Sequence, residues 1–403
     1  MVSSAPPLRG IRVLDMATNF AATGAAMYLA DYGADVIKIE LPEGDPARTF
    51  PPVVQGTNIG KSFLIYNRGK RSAVIDWRSD TGQQAVDRML GQVDVVVVDA
   101  PVGARSDSWR FHYHRRLKAL FPRLIYAGVS AFGRRGPYVD FPPYDPLVQA
   151  ASGIMGSSRN REGTPVHAGS RLADSSTSML LAYGVMMALL AREKTGAGQQ
   201  VETSMLEASV AMQSVQLVWA DSDPTPPADP AQATVASYQC EDGRHINIIT
   251  MQERQFEGMC RVLGLEHLLE DKSFSTGEGR TRRRTELFPL FEGILGTRPS
   301  TEWLPLLQAA GVPCSPTLSR VELFDDPQIV LNHVSAELTH PTLGRMKMLG
   351  SPIRFSETHL QIGNGAPELG EHTHEVLNEF GFSVQEIADL VRAGVIQNNK
   401  EGR

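Results

Sequence analysis

Asp174 is the residue whose neighbours best equip it to act as a nucleophile. It stands in the stretch 169–178, where four small hydroxyl residues follow it, just before an apolar run at 179–191. A capping acid or hydroxyl, an apolar body, basic residues and then glycine are typical of a helix with defined ends. We therefore expect Asp174 at the amino end of a buried helix, where the dipole and unpaired N–H groups favour an ionised carboxylate. Such a carboxylate can attack a carbonyl carbon, although most aspartates at helix starts are structural caps.

Two short segments offer further candidate groups. Lys70 and Arg71 follow Asn67 in a polar stretch, where a basic pair could hold a phosphate or simply mark a surface turn. Tyr144 and Asp145 precede a helical stretch predicted at 146–154, so an ordinary helix cap is the alternative for Asp145.

The sequence predicts neither a metal site nor a common nucleotide motif. His372 and His374 are two residues apart, which places them on different faces of a helix, and the three cysteines are widely scattered. There is no P-loop, no Gly-x-Ser-x-Gly turn and no His-Glu-x-x-His pattern. We expect a protein without a metal centre.

The length and composition are those of an ordinary globular protein. A length of 403 residues exceeds one typical core, so we expect two domains. The net charge of −6 argues against nucleic acid as a partner, because nucleic-acid-binding surfaces are basic. The apolar run at 179–191 is too short to span a membrane, and the first residues lack a secretory pattern. We expect a cytoplasmic protein with no membrane partner.

Strands alternate with helices through the first half of the chain. The predicted strands, several of them continuous Val and Ile runs, lie at 11–14, 35–40, 72–75, 93–98, 124–129 and 200–203. Helices are expected between them, at 21–32, 81–90, 112–120 and 179–191, with another at 205–219. This alternation predicts the α/β class: an open parallel sheet covered on both faces, Rossmann-like in arrangement. The turn after the first strand lacks a glycine fingerprint, which makes an NAD-dependent dehydrogenase the least favoured enzyme class.

A proline-rich, acidic segment at 221–230 marks the main change in composition. We predict a large Rossmann-like domain at 1–220, a linker at 221–237 and a smaller α/β domain at 238–326. The remaining residues, 327–403, are expected to form a second linker and a return to the large domain.

The order of several short blocks resembles the class III CoA-transferases, the family of formyl-CoA transferase, carnitine CoA-transferase and α-methylacyl-CoA racemase. The blocks that carry this resemblance are 8–15 (LRGIRVLD), 29–40 (LADYGADVIKIE), 67–72 (NRGKRS), 121–126 (FPRLIY), 130–133 (SAFG), 173–174 (AD), 192–199 (REKTGAGQ) and 369–373 (LGEHT). They extend over nearly the whole chain.

The resemblance implies a specific chemistry and assembly. Asp174 matches the position of the family's catalytic aspartate, which forms an acyl anhydride and then an aspartyl-CoA thioester before a carboxylic acid takes up the CoA. Acyl-CoA and a small carboxylic acid would be the substrates, and no metal or redox cofactor would be required. The family fold implies two chains threaded as interlocked rings, a homodimer with the active site between domains.

Further residues are assigned from the same likeness. Lys38, Asn67, Lys70 and Arg71 become the expected region for the CoA phosphates. Tyr144, Asp145 and Glu253 are expected to line the acyl pocket.

Two alternatives stay open at this point. One is an acyl-CoA racemase or isomerase that uses Asp174 with Asp145 or Glu253; Tyr144 stands where the racemases carry a catalytic His, which favours the transferase. The other is a non-catalytic CoA-binding protein, which would need no ionised Asp174. The glycine-rich loop of the formyl and oxalate enzymes is absent between 219 and 238, so the sequence names neither acyl donor nor acceptor.

Overall fold

The computed structural model describes residues 5–99, 116–160, 162–218, 220, 235–340, 342–358, 360 and 364–397. They divide into two compact units, Met1–Val218 with Leu331–Arg403, and Trp219–Val330. Part of the helix predicted at 112–120, and most of the linker predicted at 221–237, lie outside the described residues.

The first unit is built on a six-stranded parallel sheet in the order β3-β2-β1-β4-β5-β6. Its strands are β1 (Arg12–Asp15), β2 (Asp35–Glu40), β3 (Arg71–Val74), β4 (Val95–Asp99), β5 (Ile125–Ser130) and β6 (Gln200–Ser204). The strand order reverses between β1 and β4, as in doubly wound folds that bind ligands at that point. The predicted α/β class and open parallel sheet are confirmed.

Both faces of this sheet are buried, which explains the continuous apolar runs in its strands. Val95 and Val97 face one core cluster, which includes buried residues of the first and sixth helices. Val96 and Val98 face a second cluster, formed with helices from the third crossover and from the end of the chain. Successive side chains of a strand point to opposite faces, so both must be apolar.

Seven helices accompany the strands up to residue 211 in the described part of this unit. They are α1 (Phe20–Asp31), α2 (Lys61–Tyr66), α3 (Asp80–Leu90), α4 (Asp145–Ala151), α5 (Ile154–Ser157), α6 (Leu172–Thr195) and α7 (Met205–Ala211), with residues 116–120 also helical. Two bounds differ from prediction: α6 begins seven residues before 179, and α7 ends at Ala211 rather than 219. Val215 and Val218 beyond α7 are about 80% exposed, so no packing holds that apolar run in a helix.

The longest helix, α6, is the core helix of the first unit. By length and composition alone it could cross a membrane, yet 56% of its most apolar window is buried inside the structure. It ends at Gly196, whose φ of 72° is the left-handed conformation that lets the chain turn away from a helix.

The second unit has a three-stranded antiparallel sheet in the order β7-β8-β9 and its own apolar core. The strands are β7 (Val235–Gln239), β8 (His245–Ile249) and β9 (Cys314–Pro316); the helices are α8 (Glu253–Leu263), α9 (His267–Glu270), α10 (Gly277–Arg282), α11 (Arg284–Leu295), α12 (Ser300–Ala309) and α13 (Pro327–Leu331).

The end of the chain packs on the first unit. An antiparallel hairpin, β10 (Ser335–His340) and β11 (Gly344–Leu349), precedes α14 (Thr373–Glu379) and α15 (Val384–Arg392). The hydroxyl of Ser72 accepts the Gly370 N–H at 2.9 Å, and the Thr373 hydroxyl accepts the Val74 N–H at 3.1 Å. These bonds attach the LGEHT segment to β3 and give that motif a structural role.

Candidate active site

Asp174 lies in the first turn of α6, and its side chain is only 3% exposed. It is not the cap of that helix, because the helix already begins at Leu172. The hydroxyl residues that follow fit inside the helix: Thr177 donates to the Ala173 carbonyl at 2.6 Å, and Ser178 donates to the Asp174 carbonyl at 2.9 Å. Hydroxyls that bond to the preceding turn are satisfied without water. The predicted boundary at 179 is therefore wrong.

The structure brings Asp145 against Asp174. Asp145 is buried at the start of α4, and its Oδ2 accepts the backbone N–H of Asp174 at 3.0 Å. It makes no cap bond to α4 itself. A carboxylate at the positive end of α6 satisfies one of the N–H groups that helix starts leave open. Asp145 therefore caps another helix, the one that carries Asp174.

Gln149 is a site residue that the sequence analysis missed. Its Nε2 donates to Asp145 Oδ1 at 2.5 Å and to the Ser170 carbonyl at 3.0 Å, and its Oε1 accepts the Ala168 N–H at 3.0 Å. It is 1% exposed, so all three bonds are made in the interior. Gln149 follows Asp145 by four residues in α4, a spacing that places amide and carboxylate on one helix face and could have indicated the pair.

Arg171 supplies the positive charge beside the candidate nucleophile. Its Nη1 lies 3.3 Å from Asp174 Oδ2, and its guanidinium carbon is 4.4 Å from the centre of the Phe20 ring. Phe20 in turn stacks on Tyr66, with ring centres 5.5 Å apart. The guanidinium can therefore stack on the face of the Phe20 ring and stay in contact with solvent.

Burial, and next the charge of Asp145, raise the pKa of Asp174 to about 7, while Arg171 lowers it. The position of Asp174 at a helix start predicts that the dipole and unpaired N–H groups favour the ionised carboxylate. The tertiary environment differs, because a second carboxylate and an apolar surrounding disfavour the charged form. Near pH 7 the free protein therefore holds both forms of Asp174.

Tyr144 and Glu253 have other surroundings within their own units. The Tyr144 side chain is exposed at the start of α4. Glu253 opens α8 in the second unit, where its two oxygens accept hydrogen bonds of 2.7 and 3.0 Å from the buried Arg280. That pairing lowers the pKa of Glu253, which makes the carboxylate a weaker base.

Lys38, Asn67 and Lys70 meet in a buried ion network at the carboxyl ends of β1 and β2. Lys70 Nζ lies 2.6 Å from Asp15 Oδ2 and 3.0 Å from the Asn67 side-chain oxygen. Lys38 Nζ lies 2.8 Å from an oxygen of Asp45. Both lysine side chains are at most 1% exposed. Their charges are matched inside the fold, since an unpaired buried cation would be very costly.

Arg71 has a different surrounding on the surface. Its guanidinium lies within 3.0 Å of carboxylate oxygens from Asp35, Glu375 and Glu379. The basic pair at 70–71 lacks acidic neighbours in sequence, but the sheet and α14 bring carboxylates to it. In the described conformation the four residues expected to hold CoA phosphates all have protein partners.

Among the residues that the structure describes, no group of three or more His, Cys, Asp or Glu side chains converges on a possible metal position. His372 Nδ1 instead accepts the Ser72 N–H at 3.3 Å.

Relatives of known activity match this chain from end to end. It is 30% identical to a formyl-CoA:oxalate CoA-transferase of Streptomyces coelicolor, over 98% of this chain and 100% of that one. It is 29% identical to the human succinyl-CoA:glutarate CoA-transferase, over 98% of this chain and 91% of the relative. An acyl-CoA transferase of Fusarium pseudograminearum is 30% identical, over 98% and 89%.

The crystal structure of a CAIB/BAIF family protein from Brucella suis has the same architecture. It matches with a TM-score of 0.82 at 29% identity, and the match covers 93% of this chain and all of that one. The model of CoA-transferase family III matches residues 8–373. Together with the sheet, these matches show that the chain belongs to CoA-transferase family III.

Proposed function

We propose that this enzyme moves CoA from an acyl-CoA donor to a small carboxylic acid and that Asp174 is its nucleophile. The observation that carries the proposal is a buried carboxylate in the first turn of α6, oriented by Asp145 and paired with Arg171. Such a group is fixed in one direction and has a pKa near neutrality, which suits a nucleophile. The substrates named for the relatives, oxalate and glutarate among them, support small carboxylic acids as the acceptor class.

The proposed steps conserve electron pairs throughout. An Asp174 oxygen attacks the thioester carbonyl, the carbon–sulfur bond breaks, and CoA departs as a thiolate from a mixed anhydride. The thiolate attacks the side-chain carbonyl carbon of Asp174 and releases the donor acid, which leaves an aspartyl-CoA thioester. An acceptor carboxylate then repeats these steps in reverse order and regenerates the Asp174 carboxylate. The chemistry uses no oxidant or metal, and the positive end of α6 can stabilise the oxyanions.

We place CoA along the carboxyl end of the parallel sheet, near the loop between β1 and α1. The strand order reverses at this point, which is where open α/β sheets form a crevice. The loop is held on one side by Lys38, which donates to the Ala17 carbonyl at 2.7 Å. On the other side the Asp99 carboxylate accepts the Thr18 and Asn19 N–H groups at 2.8 and 3.0 Å. In this proposal Lys38 and Lys70 stabilise the CoA site from the interior of the protein. Their ammonium groups do not contact a phosphate directly.

The racemase alternative finds less support in the site. Exchange of an α-proton with inversion needs an acid and a base on opposite faces of the carbon. Tyr144 is exposed, and Glu253 is held by Arg280. Asp174 alone suffices for the transfer steps, which need neither of these two groups.

We also infer that two copies of the chain associate. Four large apolar side chains of α6, each about half exposed or more, form the exposed stripe: Met179, Tyr183, Met187 and Leu190. They recur at helical spacing on one side of the core helix of the unit. An exposed apolar stripe of this kind favours a protein partner, and the family resemblance favours a second copy.

Replacing Asp174 by Asn tests the nucleophile. The amide keeps the size of the side chain but cannot form the anhydride, so we expect CoA transfer to fall by more than about a thousandfold. Mass spectrometry of the wild-type enzyme mixed with an acyl-CoA donor should show a CoA adduct on the peptide that contains Asp174.

The control is Asp140→Asn, which removes one exposed carboxylate of the same unit and should leave transfer unchanged. Transfer at the wild-type rate by Asp174→Asn would refute the nucleophile. Deuterium at C2 of a 2-methylacyl-CoA incubated in D₂O without acceptor would favour the racemase instead.

A further inference from the structure

Arg171 is the one charged group beside Asp174 that solvent can reach. Its side chain is 36% exposed, whereas that of Asp174 is 3% exposed. Its hydrogen bond to Asp174 is long, at 3.3 Å, and no other described side chain or carbonyl accepts a hydrogen bond from its guanidinium. Because a guanidinium carries five donors in a planar fork, most of its hydrogen-bonding capacity is directed elsewhere.

The charges around Arg171 change during the proposed reaction. In the free enzyme, the guanidinium pairs with the Asp174 carboxylate, and a second carboxylate, Asp145, binds the backbone N–H of Asp174. Formation of the anhydride or the aspartyl-CoA thioester converts the Asp174 carboxylate into an uncharged acyl group. Asp145 stays occupied, because its oxygens accept the Asp174 N–H and the Gln149 amide. Above about pH 8, where Asp174 is ionised, Arg171 therefore loses its own ion-pair partner only when Asp174 carries an acyl or CoA group.

We propose that Arg171 binds the carboxylate of the incoming acceptor acid, and that this anion site opens when Asp174 becomes covalently modified. The inference rests on the proposed function and adds to it a residue that selects the second substrate. An arginine matches a carboxylate by two parallel N–H···O bonds, which also orients the oxygen that must attack. Phe20 supports the guanidinium from one side at 4.4 Å, so the cation stays in place after Asp174 is neutralised.

The charges at this site also explain how the acceptor acid can be excluded before the donor has reacted. With Asp174 ionised, a second carboxylate would enter a space that already contains two negative groups and one positive group. Like charges at such distances repel strongly where solvent is limited. After modification of Asp174, the acceptor oxygen attacks its side-chain carbonyl carbon, the carbon–sulfur bond breaks, and the thiolate later returns to the acceptor. The arginine holds the acceptor and takes no part in bond making.

The test compares two nucleophiles on the isolated covalent enzyme. Wild type, Arg171→Gln and Arg171→Lys are each loaded with acyl-CoA at about pH 8.5, where Asp174 is ionised, and freed of excess donor. Each adduct is then mixed either with a carboxylate acceptor or with hydroxylamine, an uncharged nucleophile. New acyl-CoA and released CoA are measured by mass spectrometry over time.

We expect Arg171→Gln to lower the rate constant for the carboxylate by about ten- to hundredfold, the range for loss of hydrogen bonds to a charged group. Its reaction with hydroxylamine should stay within about twofold of wild type, because an uncharged nucleophile needs no cation. Arg171→Lys should recover part of the lost rate, since the charge returns without the planar fork. Lys194→Gln, which removes one exposed positive charge at the far end of the same helix, should match wild type with both nucleophiles.

Other outcomes separate the inference from the function on which it rests. If wild type forms no CoA adduct, the proposed mechanism itself fails. If wild type forms the adduct but Arg171→Gln reacts normally with the carboxylate, Arg171 does not bind the acceptor. An equal loss toward both nucleophiles, or no adduct in the variant alone, would assign Arg171 a structural or donor-side role and overturn the proposal.

Discussion

Asp174 and Asp145 form a pair whose roles are separated by their partners. Asp145 accepts hydrogen bonds with both oxygens and is thereby held as an acceptor of the Asp174 N–H. Among the described residues, the Asp174 carboxylate has one hydrogen-bond partner, Arg171 at 3.3 Å, and burial raises the pKa of Asp174 to about 7. The two neighbouring carboxylates thus have unlike surroundings, which suits the proposed roles: Asp145 orients the helix start and Asp174 acts as the nucleophile.

This arrangement predicts that the candidate nucleophile destabilises the free protein at high pH. The folded-state pKa of Asp174 is raised from its ordinary value of 3.8 to about 7, so ionisation costs stability as pH rises from about 4 through about 7. We expect Asp174→Asn to be more stable than wild type at about pH 8, by up to about 4 kcal/mol. The gain should shrink as pH falls and vanish below about pH 4.

Urea unfolding of both proteins across this pH range measures the difference. Asp140→Asn, at an exposed position, is the control and should change stability by less than about 0.5 kcal/mol at each pH. A stability gain that did not depend on pH would contradict the assigned pKa shift.

Three helices determine where the candidate nucleophile lies. The first turn of α6 carries Asp174, α4 supplies Asp145 and Gln149, and α1 packs along α6 with Phe20 at its start. Ser178 joins the two long helices, because its hydroxyl lies 2.9 Å from both the Ala21 and the Asp174 carbonyl oxygens. The site is thus held by rigid elements, and small movements between them would displace Asp174.

At Gly24, the packing of α1 against α6 leaves no room for a side chain. A Cβ at this position would meet the side chain of Ser178, whose own Cβ would be 3.1 Å away, and the ring of Tyr66 at 3.2 Å. Both neighbours contact the turn that carries Asp174. We expect Gly24→Ala to force the helices apart, to cost about 1–3 kcal/mol of stability, and to lower kcat about tenfold or more by misplacing the carboxylate.

Thermal unfolding and steady-state transfer assays on one preparation measure both effects. Gly293→Ala is the matched control: Gly293 lies within α11 in the second unit and has nothing within 4 Å of the added Cβ. It should be neutral or slightly stabilising, because alanine favours a helix over glycine. Full activity in Gly24→Ala would show that the spacing of α1 and α6 does not control the site.

At the scale of the whole molecule, the exposed stripe of α6 links the core helix to the expected assembly. The helix carries the candidate nucleophile at one end and presents apolar side chains to the outside along its length. A partner chain packed there would cover the stripe and restrain the helix that positions Asp174. Association and activity are therefore expected to depend on each other.

We expect the wild-type chain to have twice the mass of a single chain in light scattering after size-exclusion chromatography. The double variant Tyr183→Lys/Met187→Lys introduces two charges into the stripe and should weaken association, because charges are costly in an apolar interface. Transfer activity should fall with the fraction of dimer.

Val384→Lys adds a charge at an 82% exposed residue elsewhere in the same unit and should leave the mass unchanged. Circular dichroism separates dissociation from unfolding. A monomeric, fully active wild type would contradict the assembly, as would an unaltered dimer in the double variant.

Sequence patterns were sufficient for the parallel sheet and for most element bounds. The strand predicted at 35–40 and the helix expected at 21–32 agree with the structure within a residue. The hairpin of β10 and β11 was missed, since its partly exposed strands carry polar residues at many positions. A reciprocal pair of hydrogen bonds between Gln252 and Gln255 defines the start of α8.

The sequence by itself determined the class of the sheet and singled out Asp174 through the motif around it. Only the tertiary structure decided the surroundings of that carboxylate. Asp145 lies 29 residues earlier in the chain, and Phe20 lies in another helix; their approach depends on how α4 and α1 pack on α6. Burial and charge act through space, so the pKa of Asp174 and the partners of Lys38 and Lys70 could not be read from neighbours in sequence.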